Sequence, residues 1–226
     1  MTFPIAVCIS GSGSNLQAII DRIEDGALPA RIALVVSNRA DAYGLTRARR
    51  HGLPTLVLAA ADHPDRAAYD AALLAAVRAS GAEAVVLAGF MRLLGATFVS
   101  AYHNRILNIH PSLLPSFPGR HGQADAADYG VTLSGATVHF VDEAMDNGPI
   151  VIQAAVPVLP DDDGERLAAR ILALEHRIYP QAIAWLASGR LTVSGRKARL
   201  APAAVPPADL TAVGACLVNP PLEAGF

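Results

Sequence analysis

An amide and an imidazole stand two residues apart in the stretch Ile106 to Pro115, which reads Ile-Leu-Asn-Ile-His-Pro-Ser-Leu-Leu-Pro. The apolar run predicts a strand. Side chains alternate faces along a strand, so Asn108 and His110 point to the same side. The two prolines that follow stiffen the backbone, since each fixes its own φ. Acyl-transfer chemistry needs such a hydrogen-bond donor beside a titratable group on a rigid segment.

A glycine-containing loop, Ser10 to Asn15, follows the first apolar run and precedes a helical pattern that starts at Leu16. Free N–H groups at a helix N-terminus bind phosphate, and glycines let the backbone approach it. The third glycine of the dinucleotide fingerprint is missing, no Gly-Lys-Ser/Thr follows, and the second strand ends in Ser-Asn-Arg rather than in an acid. We therefore favour binding of a monophosphate as the role of this loop. A plain turn capped by Ser or Asn is the second interpretation, and binding of NAD(P) is the least favoured.

Three acids, Asp142, Glu143 and Asp146, lie in a turn-rich connection between two later apolar runs. Acids in such loops are usually only solvated, and a single strand histidine is usually structural. Metal binding is another reading, which would use His110, His121, His139 and Asp146. No His-x-x-x-His or Cys-x-x-Cys pair supports that reading, so we expect no metal.

Apolar runs alternate with helical patterns through the first half of the chain, which predicts βαβ units. The expected fold is α/β: a mostly parallel twisted sheet with a Rossmann-like N-terminal half, an antiparallel C-terminal hairpin, and helices on both faces. The predicted strands span 3–9, 32–36, 53–58, 84–88, 105–109, 136–141, 149–158 and 191–193, and the predicted helices 16–23, 43–50, 65–80 and 165–186.

Length and composition limit the remaining possibilities. The 226 residues favour one domain over 1–195, followed by an extended or disordered Ala/Pro-rich tail over 196–226. A net charge of −2 without a basic block argues against a nucleic-acid partner. The N-terminus lacks a signal-peptide pattern and no apolar run reaches membrane-spanning length, so we expect no membrane association. Two cysteines without a disulfide framework suit a cytoplasmic protein.

The order of these motifs strongly resembles the folate-dependent phosphoribosylglycinamide formyltransferase family, over roughly residues 3–195. The resemblance is carried by Ile9-Ser-Gly-Ser-Gly-Ser-Asn-Leu-Gln17, Leu87-Ala-Gly-Phe-Met-Arg-Leu-Leu94, Asn108-Ile-His-Pro-Ser-Leu-Leu-Pro115, Val138-His-Phe-Val141 and Asp146-Asn-Gly-Pro-Ile150. It implies small-molecule substrates, with 10-formyltetrahydrofolate as formyl donor, and a role in purine biosynthesis. The expected oligomeric state is a monomer or a homodimer.

The resemblance also assigns catalytic roles. Asn108 and His110 stabilise the formyl oxygen in a tetrahedral intermediate, and Asp146 keeps His110 charged. A neighbouring carboxylate raises the pKa of a histidine, which would bring His110 towards working pH.

Binding roles follow from the same resemblance. The phosphoribosylglycinamide phosphate is assigned to Gly13, Ser14 and Asn15, and its ribose to Glu175, which by its helical position could equally be a surface charge. The folate is assigned to Arg66, Met91, Arg92, Leu93, Leu94, Asn108, Asp142, Glu143, Ala144 and Met145.

The chain departs from the family pattern after His121, where Gly122 and Gln123 replace the usual residues and leave the local loop geometry open. The resemblance further implies a cis bond between Leu114 and Pro115. The main alternative is hydrolysis of 10-formyltetrahydrofolate, whose enzymes usually carry an extra N-terminal domain. Formylation of methionyl-tRNA would need a basic C-terminal domain, and a non-catalytic nucleotide sensor would have no use for Asn108, His110 and Asp146.

Overall fold

A computed structural model describes residues 2–201, 211–213 and 216–226. The chain forms two compact units, the first comprising Met1–Asn108 with Val141–Glu143 and the second Ile109–Phe140 with Ala144–Phe226. Over the described residues, no helix has the length and apolar character needed to cross a membrane.

The first unit is a parallel sheet with the strand order β5-β4-β1-β2-β3. Helical connections between the strands make parallel pairing possible. The strands are β1 Phe3–Ile9, β2 Ala30–Ser37, β3 Thr55–Val57, β4 Ala84–Leu87 and β5 Ile106–His110, the last two residues of which belong to the second unit. The helices are α1 Ser14–Glu24, α2 Tyr43–Arg50, α3 Arg66–Ala79 and α4 Ala96–Ala101, with a short 3-10 turn at Ala60–Asp62.

Helices cover both faces of this sheet, because β1 is apolar on both sides. Ala6 and Cys8 pack into the core that α3 and α4 complete, while Ile9 contacts α2 at Gly44. Near-continuous apolar strands are typical of a parallel sheet that is buried on both faces.

The second unit is built on an antiparallel hairpin of β6 Leu133–Phe140 and β7 Ile150–Pro157. β11 Cys216–Asn219 extends it antiparallel to β7, and β10 Thr211–Val213 pairs outside β11. A small hairpin of β8 Leu191–Ser194 and β9 Lys197–Leu200 meets β7 at one residue pair. The helices are α5 Gly122–Tyr129 and α6 Gly164–Ala187, which packs on α5 and on the hairpin.

The expected α/β class is confirmed, and every predicted strand and helix is present within a few residues of its expected bounds. α6 is a single helix that runs through Pro180. Two short helices were not predicted: α4 has only six residues, and α5 lacks a stripe of large apolar residues.

The prediction of an extended or disordered tail is wrong for the part of 196–226 that the structure describes, although residues 202–210 and 214–215 lie outside it. β9 and β11 are strands, and a terminal segment is bonded to α6. Glu223 accepts two hydrogen bonds from Arg190, at 2.8 and 3.0 Å, and its N–H donates to the buried Gln181 side chain at 2.6 Å. Backbone pairing with β7 and a bidentate ion pair therefore fix the described part of this tail.

Candidate active site

His110 ends β5 with its imidazole almost fully buried, at 3 % exposure. Nε2 lies 2.8 Å from the carbonyl oxygen of Phe117. Because a carbonyl only accepts, Nε2 carries a proton and donates it there. The other nitrogen, Nδ1, faces the Asp146 carboxylate at 3.5 Å. This leaves Nδ1 as the nitrogen of His110 that can serve a substrate.

Asp146 occupies the connection between β6 and β7 in a left-handed conformation, with φ of 51°. Its Oδ2 accepts the backbone N–H of Gly119 at 2.8 Å, while Oδ1 lies 3.8 Å from Nε2 of His139. His139 donates from Nδ1 to the carbonyl of Phe140 at 2.8 Å, which orients the ring. A carboxylate whose side chain is 12 % exposed therefore lies between two buried imidazoles.

The segment after His110 is held by polar side chains of the β6–β7 hairpin. Thr137 donates to the Ser112 carbonyl at 2.7 Å and accepts the N–H of Leu114 at 3.0 Å. Gln153 donates to the Leu114 carbonyl, also at 3.0 Å. The expected cis bond between Leu114 and Pro115 is confirmed. The hydrogen bonds from Thr137 and Gln153 fix the turn that presents the Phe117 carbonyl to His110.

The atypical stretch after His121 folds into α5, which begins at Gly122. A Cβ atom at Gly122 would lie 3.1 Å from the Phe117 carbonyl oxygen and 3.4 Å from His110 Nε2. Glycine at this position therefore lets the helix start close against the hydrogen bond that orients His110.

Asn108 is half-buried in β5, in register with Leu87 of β4. It belongs to the first unit, two residues before His110 on the same strand. The strand assignment confirms the basis for expecting both side chains on one side of β5.

The glycine loop opens α1 without a side-chain cap. Gly13 is itself the N-cap residue, with φ of 69°, so the alternative of a Ser or Asn cap is wrong. A cavity of about 370 Å³ lies over this N-terminus. Its lining includes Ser10, Gly11, Ser12, Gly13, Ser14, Asn15, Asn38, Arg39, Ala88, Gly89 and Met91. Backbone N–H groups and the positive end of the helix dipole suit an anion here.

Helix α2 holds this loop from behind. The N–H of Gly44 donates to the Gly11 carbonyl at 3.0 Å, and Arg47 donates to the Ser12 carbonyl at 3.0 Å. A Cβ atom at Gly13 would lie only 2.5 Å from the Cα of Gly44. Both glycines are thus needed for the close approach of α2.

Ser10 connects the glycine loop to its neighbours, a role that the sequence motifs did not indicate. Its hydroxyl donates to Asn38 Oδ1 at 2.6 Å and accepts the N–H of Met91 at 2.8 Å. The sequence signal for this role is a serine at the end of an apolar run, directly before glycine.

A family model described as formyl transferase matches residues 4–183. The chain is 46 % identical to phosphoribosylglycinamide formyltransferase of Escherichia coli K12, over 90 % of this chain and 96 % of that protein. It is 51 % identical to the trifunctional purine biosynthetic protein adenosine-3 of Drosophila pseudoobscura pseudoobscura, covering 83 % of this chain but only 14 % of that protein. This chain belongs to the formyl transferase family.

Solved structures of similar chains agree with this membership. Glycinamide ribonucleotide transformylase 1 of Symbiobacterium toebii superimposes with a TM-score of 0.87 at 54 % identity, covering 88 % of this chain and 94 % of that chain. A formyltetrahydrofolate deformylase of Pseudomonas syringae gives a TM-score of 0.83 at 27 % identity, over 89 % of this chain and 66 % of that one. The chain is therefore more similar in sequence to the transformylase than to the deformylase.

The remaining residues assigned from the formyl transferase resemblance occupy both units. In the first unit, Met91 and Leu93 expose apolar side chains while Leu94 is buried, which is suitable for one wall of a ligand site. Glu175 lies in α6 of the second unit and is 6 % exposed, so the surface-charge alternative is wrong. Ala144 and Met145 are exposed in the second unit, and Arg66, Asp142 and Glu143 belong to the first.

In the sequence, His139 is a candidate for metal binding, whereas the structure places its Nε2 3.8 Å from Oδ1 of Asp146. Within the described ranges, no group of three or more His, Cys, Asp or Glu residues is arranged to hold a metal ion. The spacing of seven residues between His139 and Asp146 crosses an irregular connection, so the sequence did not indicate this approach.

Proposed function

We propose that this chain transfers the formyl group of 10-formyltetrahydrofolate to the amine of 5′-phosphoribosylglycinamide, a step of de novo purine biosynthesis. One observation carries the proposal: Nε2 of His110 is committed to a carbonyl while Nδ1 faces Asp146 at 3.5 Å. A protonated imidazole is the form that suits this pair of neighbours, because Nε2–H donates to the carbonyl and the carboxylate balances the positive charge of the ring, which leaves Nδ1–H for the substrate. The proposal also agrees with the names of the relatives that are 46 % and 51 % identical.

Formyl transfer needs one nucleophile, one leaving group and an oxyanion site. The substrate amine attacks the formyl carbon, and the carbonyl electrons move to oxygen. The Asn108 amide and Nδ1–H of His110 donate hydrogen bonds to this oxyanion, which develops only in the transition state. The attacking nitrogen then loses a proton and the folate nitrogen gains one. The oxyanion re-forms the C=O bond as the bond between the folate nitrogen and the formyl carbon breaks.

The substrates are assigned to residues of matching chemistry. The nucleotide phosphate binds the N–H groups of Gly13, Ser14 and Asn15, and Glu175 accepts from the ribose hydroxyls. The folate contacts the apolar Met91–Leu94 segment and the backbone of 142–145, and Arg66 offers a cation to an acidic group. N–H donors polarise the formyl oxygen, so the proposed step uses no metal ion.

Three further expectations remain part of the proposal. The chain spans 14 % of the length of the Drosophila trifunctional proteins that it matches. The proposed domain organisation is a single formyltransferase domain over 1–195. Two free cysteines support a cytoplasmic location. The proposed assembly is a monomer or a homodimer without a nucleic-acid partner.

The decisive assay incubates the protein with 10-formyltetrahydrofolate, with and without phosphoribosylglycinamide. Tetrahydrofolate release that depends on the nucleotide, together with formylated nucleotide, is the expected result. Equal release without nucleotide, with formate as the second product, would instead identify the hydrolase. Absence of tetrahydrofolate release in both incubations would refute both the transferase and the hydrolase activity.

A further inference from the structure

We propose that Tyr69 and Asp70 of α3 are positioning residues for the folate, because they hold the segment Arg92–Gly95 in place from beneath. This inference rests on the proposed function, in which that segment forms a wall of the folate site. Neither residue was indicated by the motifs. All contacts involved lie within the first unit.

The first contact joins Tyr69 to Arg92. The guanidinium carbon of Arg92 lies 4.2 Å from the centroid of the Tyr69 ring, and the tyrosine is 1 % exposed. A cation over the face of a desolvated aromatic ring is attracted by the ring quadrupole. The Tyr69 hydroxyl has no hydrogen-bond partner among the residues the structure describes, and burial raises its pKa to about 12. The ring, rather than the hydroxyl, therefore holds Arg92.

The second contact joins Asp70 to the backbone of Gly95. Oδ2 of Asp70 accepts the N–H of Gly95 at 2.9 Å, and the aspartate is 7 % exposed. Oδ2 also lies 3.6 Å from Nε of Arg66, which donates through Nη2 to the Leu93 carbonyl at 3.2 Å. The carboxylate thereby fixes Gly95 directly and supports the arginine that fixes Leu93.

A buried carboxylate is costly unless it is paired and hydrogen-bonded. In the described part of the chain, Oδ1 of Asp70 has no hydrogen-bond partner, so part of the desolvation cost of this carboxylate is not compensated. A neutral side chain would complete the α3 core without this cost. The Gly95 contact needs an accepting oxygen at this position, and the contact with Arg66 needs the negative charge of a carboxylate.

Gly95 matches this contact from the other side. A Cβ atom at Gly95 would lie 2.5 Å from Oδ2 of Asp70. Its φ of −79° is accessible to any residue, so space rather than backbone conformation requires glycine here. Substitution of Gly95 by alanine therefore disturbs the same contact without changing α3.

The consequence is a rigid mount for the exposed apolar side chain of Leu93. Asp65 caps α3 by accepting the N–H of Ala68 at 2.8 Å, which fixes the first turn of the helix. From that turn, the chain of contacts reaches the guanidinium of Arg92, the carbonyl of Leu93 and the N–H of Gly95. Loss of these contacts releases the segment that carries Leu93, and so weakens folate binding selectively.

The experiment measures KM for both substrates and kcat in purified variants of the full chain. Asp70→Ala is expected to raise KM for 10-formyltetrahydrofolate roughly 10-fold, the usual effect of losing one charge-assisted hydrogen bond. Gly95→Ala is expected to have the same selectivity. In both, KM for the nucleotide stays within about twofold, because the glycine loop is unchanged. Asp70→Asn restores most of the affinity, because its amide oxygen still accepts from Gly95.

Ring and packing effects are separated by a second set of variants. Tyr69→Leu is expected to weaken folate binding, while Tyr69→Phe keeps the ring and binds like wild type. Leu73→Ala is the matched control, since Leu73 is fully buried one turn further along α3 in the same core. It lowers the unfolding temperature without changing the ratio of the two KM values. Equal rises in both KM values for Asp70→Ala, or a similar ratio change in Leu73→Ala, would overturn the proposal.

Failure of the proposed function gives a different result. If the wild type transfers no formyl group, calorimetric titration with tetrahydrofolate alone still compares wild type with Asp70→Ala. Weaker tetrahydrofolate binding by the variant supports the positioning role even then. Equal affinity in that titration refutes it.

Discussion

Asp146→Asn tests the central electrostatic argument of the proposed mechanism. Asparagine keeps the shape of the side chain and an oxygen that accepts from Gly119, so the local fold should persist. What disappears is the negative charge 3.5 Å from His110 Nδ1. The variant therefore separates charge from geometry.

The size of the effect follows from that distance. Opposite unit charges at 3.5 Å attract by about 5 kcal/mol at an effective dielectric constant of about 20. Desolvation of the carboxylate offsets part of this attraction, and only the share that grows in the transition state affects kcat. We therefore expect Asp146→Asn to lose about 3 kcal/mol of transition-state stabilisation, which corresponds to a roughly 100-fold lower kcat.

The assay follows nucleotide-dependent release of tetrahydrofolate at saturating substrate concentrations. Asp128→Asn is the control, because it makes the same change of charge on an exposed position of α5 in the same unit. It should keep kcat within about twofold and show the wild-type unfolding temperature. If folded Asp146→Asn also keeps kcat within about twofold of wild type, the charge of Asp146 does not support catalysis and the reasoning is refuted.

Three other predictions concern the frame around the site. Gly13→Ala should cost roughly 1–3 kcal/mol of unfolding free energy by urea titration and raise KM for the nucleotide, because its Cβ would lie 2.5 Å from α2 backbone; an unchanged KM contradicts the assigned phosphate loop. Burial raises the pKa of the Cys8 thiol to about 12, so iodoacetamide should label Cys216 in the native protein and Cys8 only after unfolding, as checked by mass spectrometry. The Arg170 hydrogen bond lowers the Asp162 pKa to about 2, so the stability that this carboxylate gives the fold is present above pH 3.8, the ordinary pKa of Asp, and is lost as the pH falls through 2. Between these pH values, the urea midpoint of wild type should fall more steeply than that of Asp162→Asn.

Most of the fold could be predicted from sequence because its signals are local. The buried strands β1, β2 and β4 are short apolar runs bounded by turns, and α6 shows a helical pattern over its whole length. α5 and the tail strands could not be predicted in this way. Their stability comes from contacts with residues distant in sequence, such as the pairing of β11 with β7, which local propensity does not report.

The candidate site likewise combines features that the sequence predicts with features that depend on the fold. Spacing alone put Asn108 and His110 on one side of a strand, since strand periodicity requires nothing beyond neighbouring residues. Sequence also located the glycine loop, and the left-handed conformation of Gly13 agrees with its residue type. The resemblance supplied Asp146 as a partner but not the geometry that makes it one.

Only the tertiary structure decided which nitrogen of His110 is available. The turn after β5 places the Phe117 carbonyl on Nε2, and the β6–β7 connection brings Asp146 to Nδ1 from 36 positions away in sequence. The roles of His139, Ser10 and Asp70 were likewise decided by packing. The contacts of Ser10 and Asp70 join segments far apart in the chain, and that of His139 crosses the irregular β6–β7 connection, so local patterns report none of these distances.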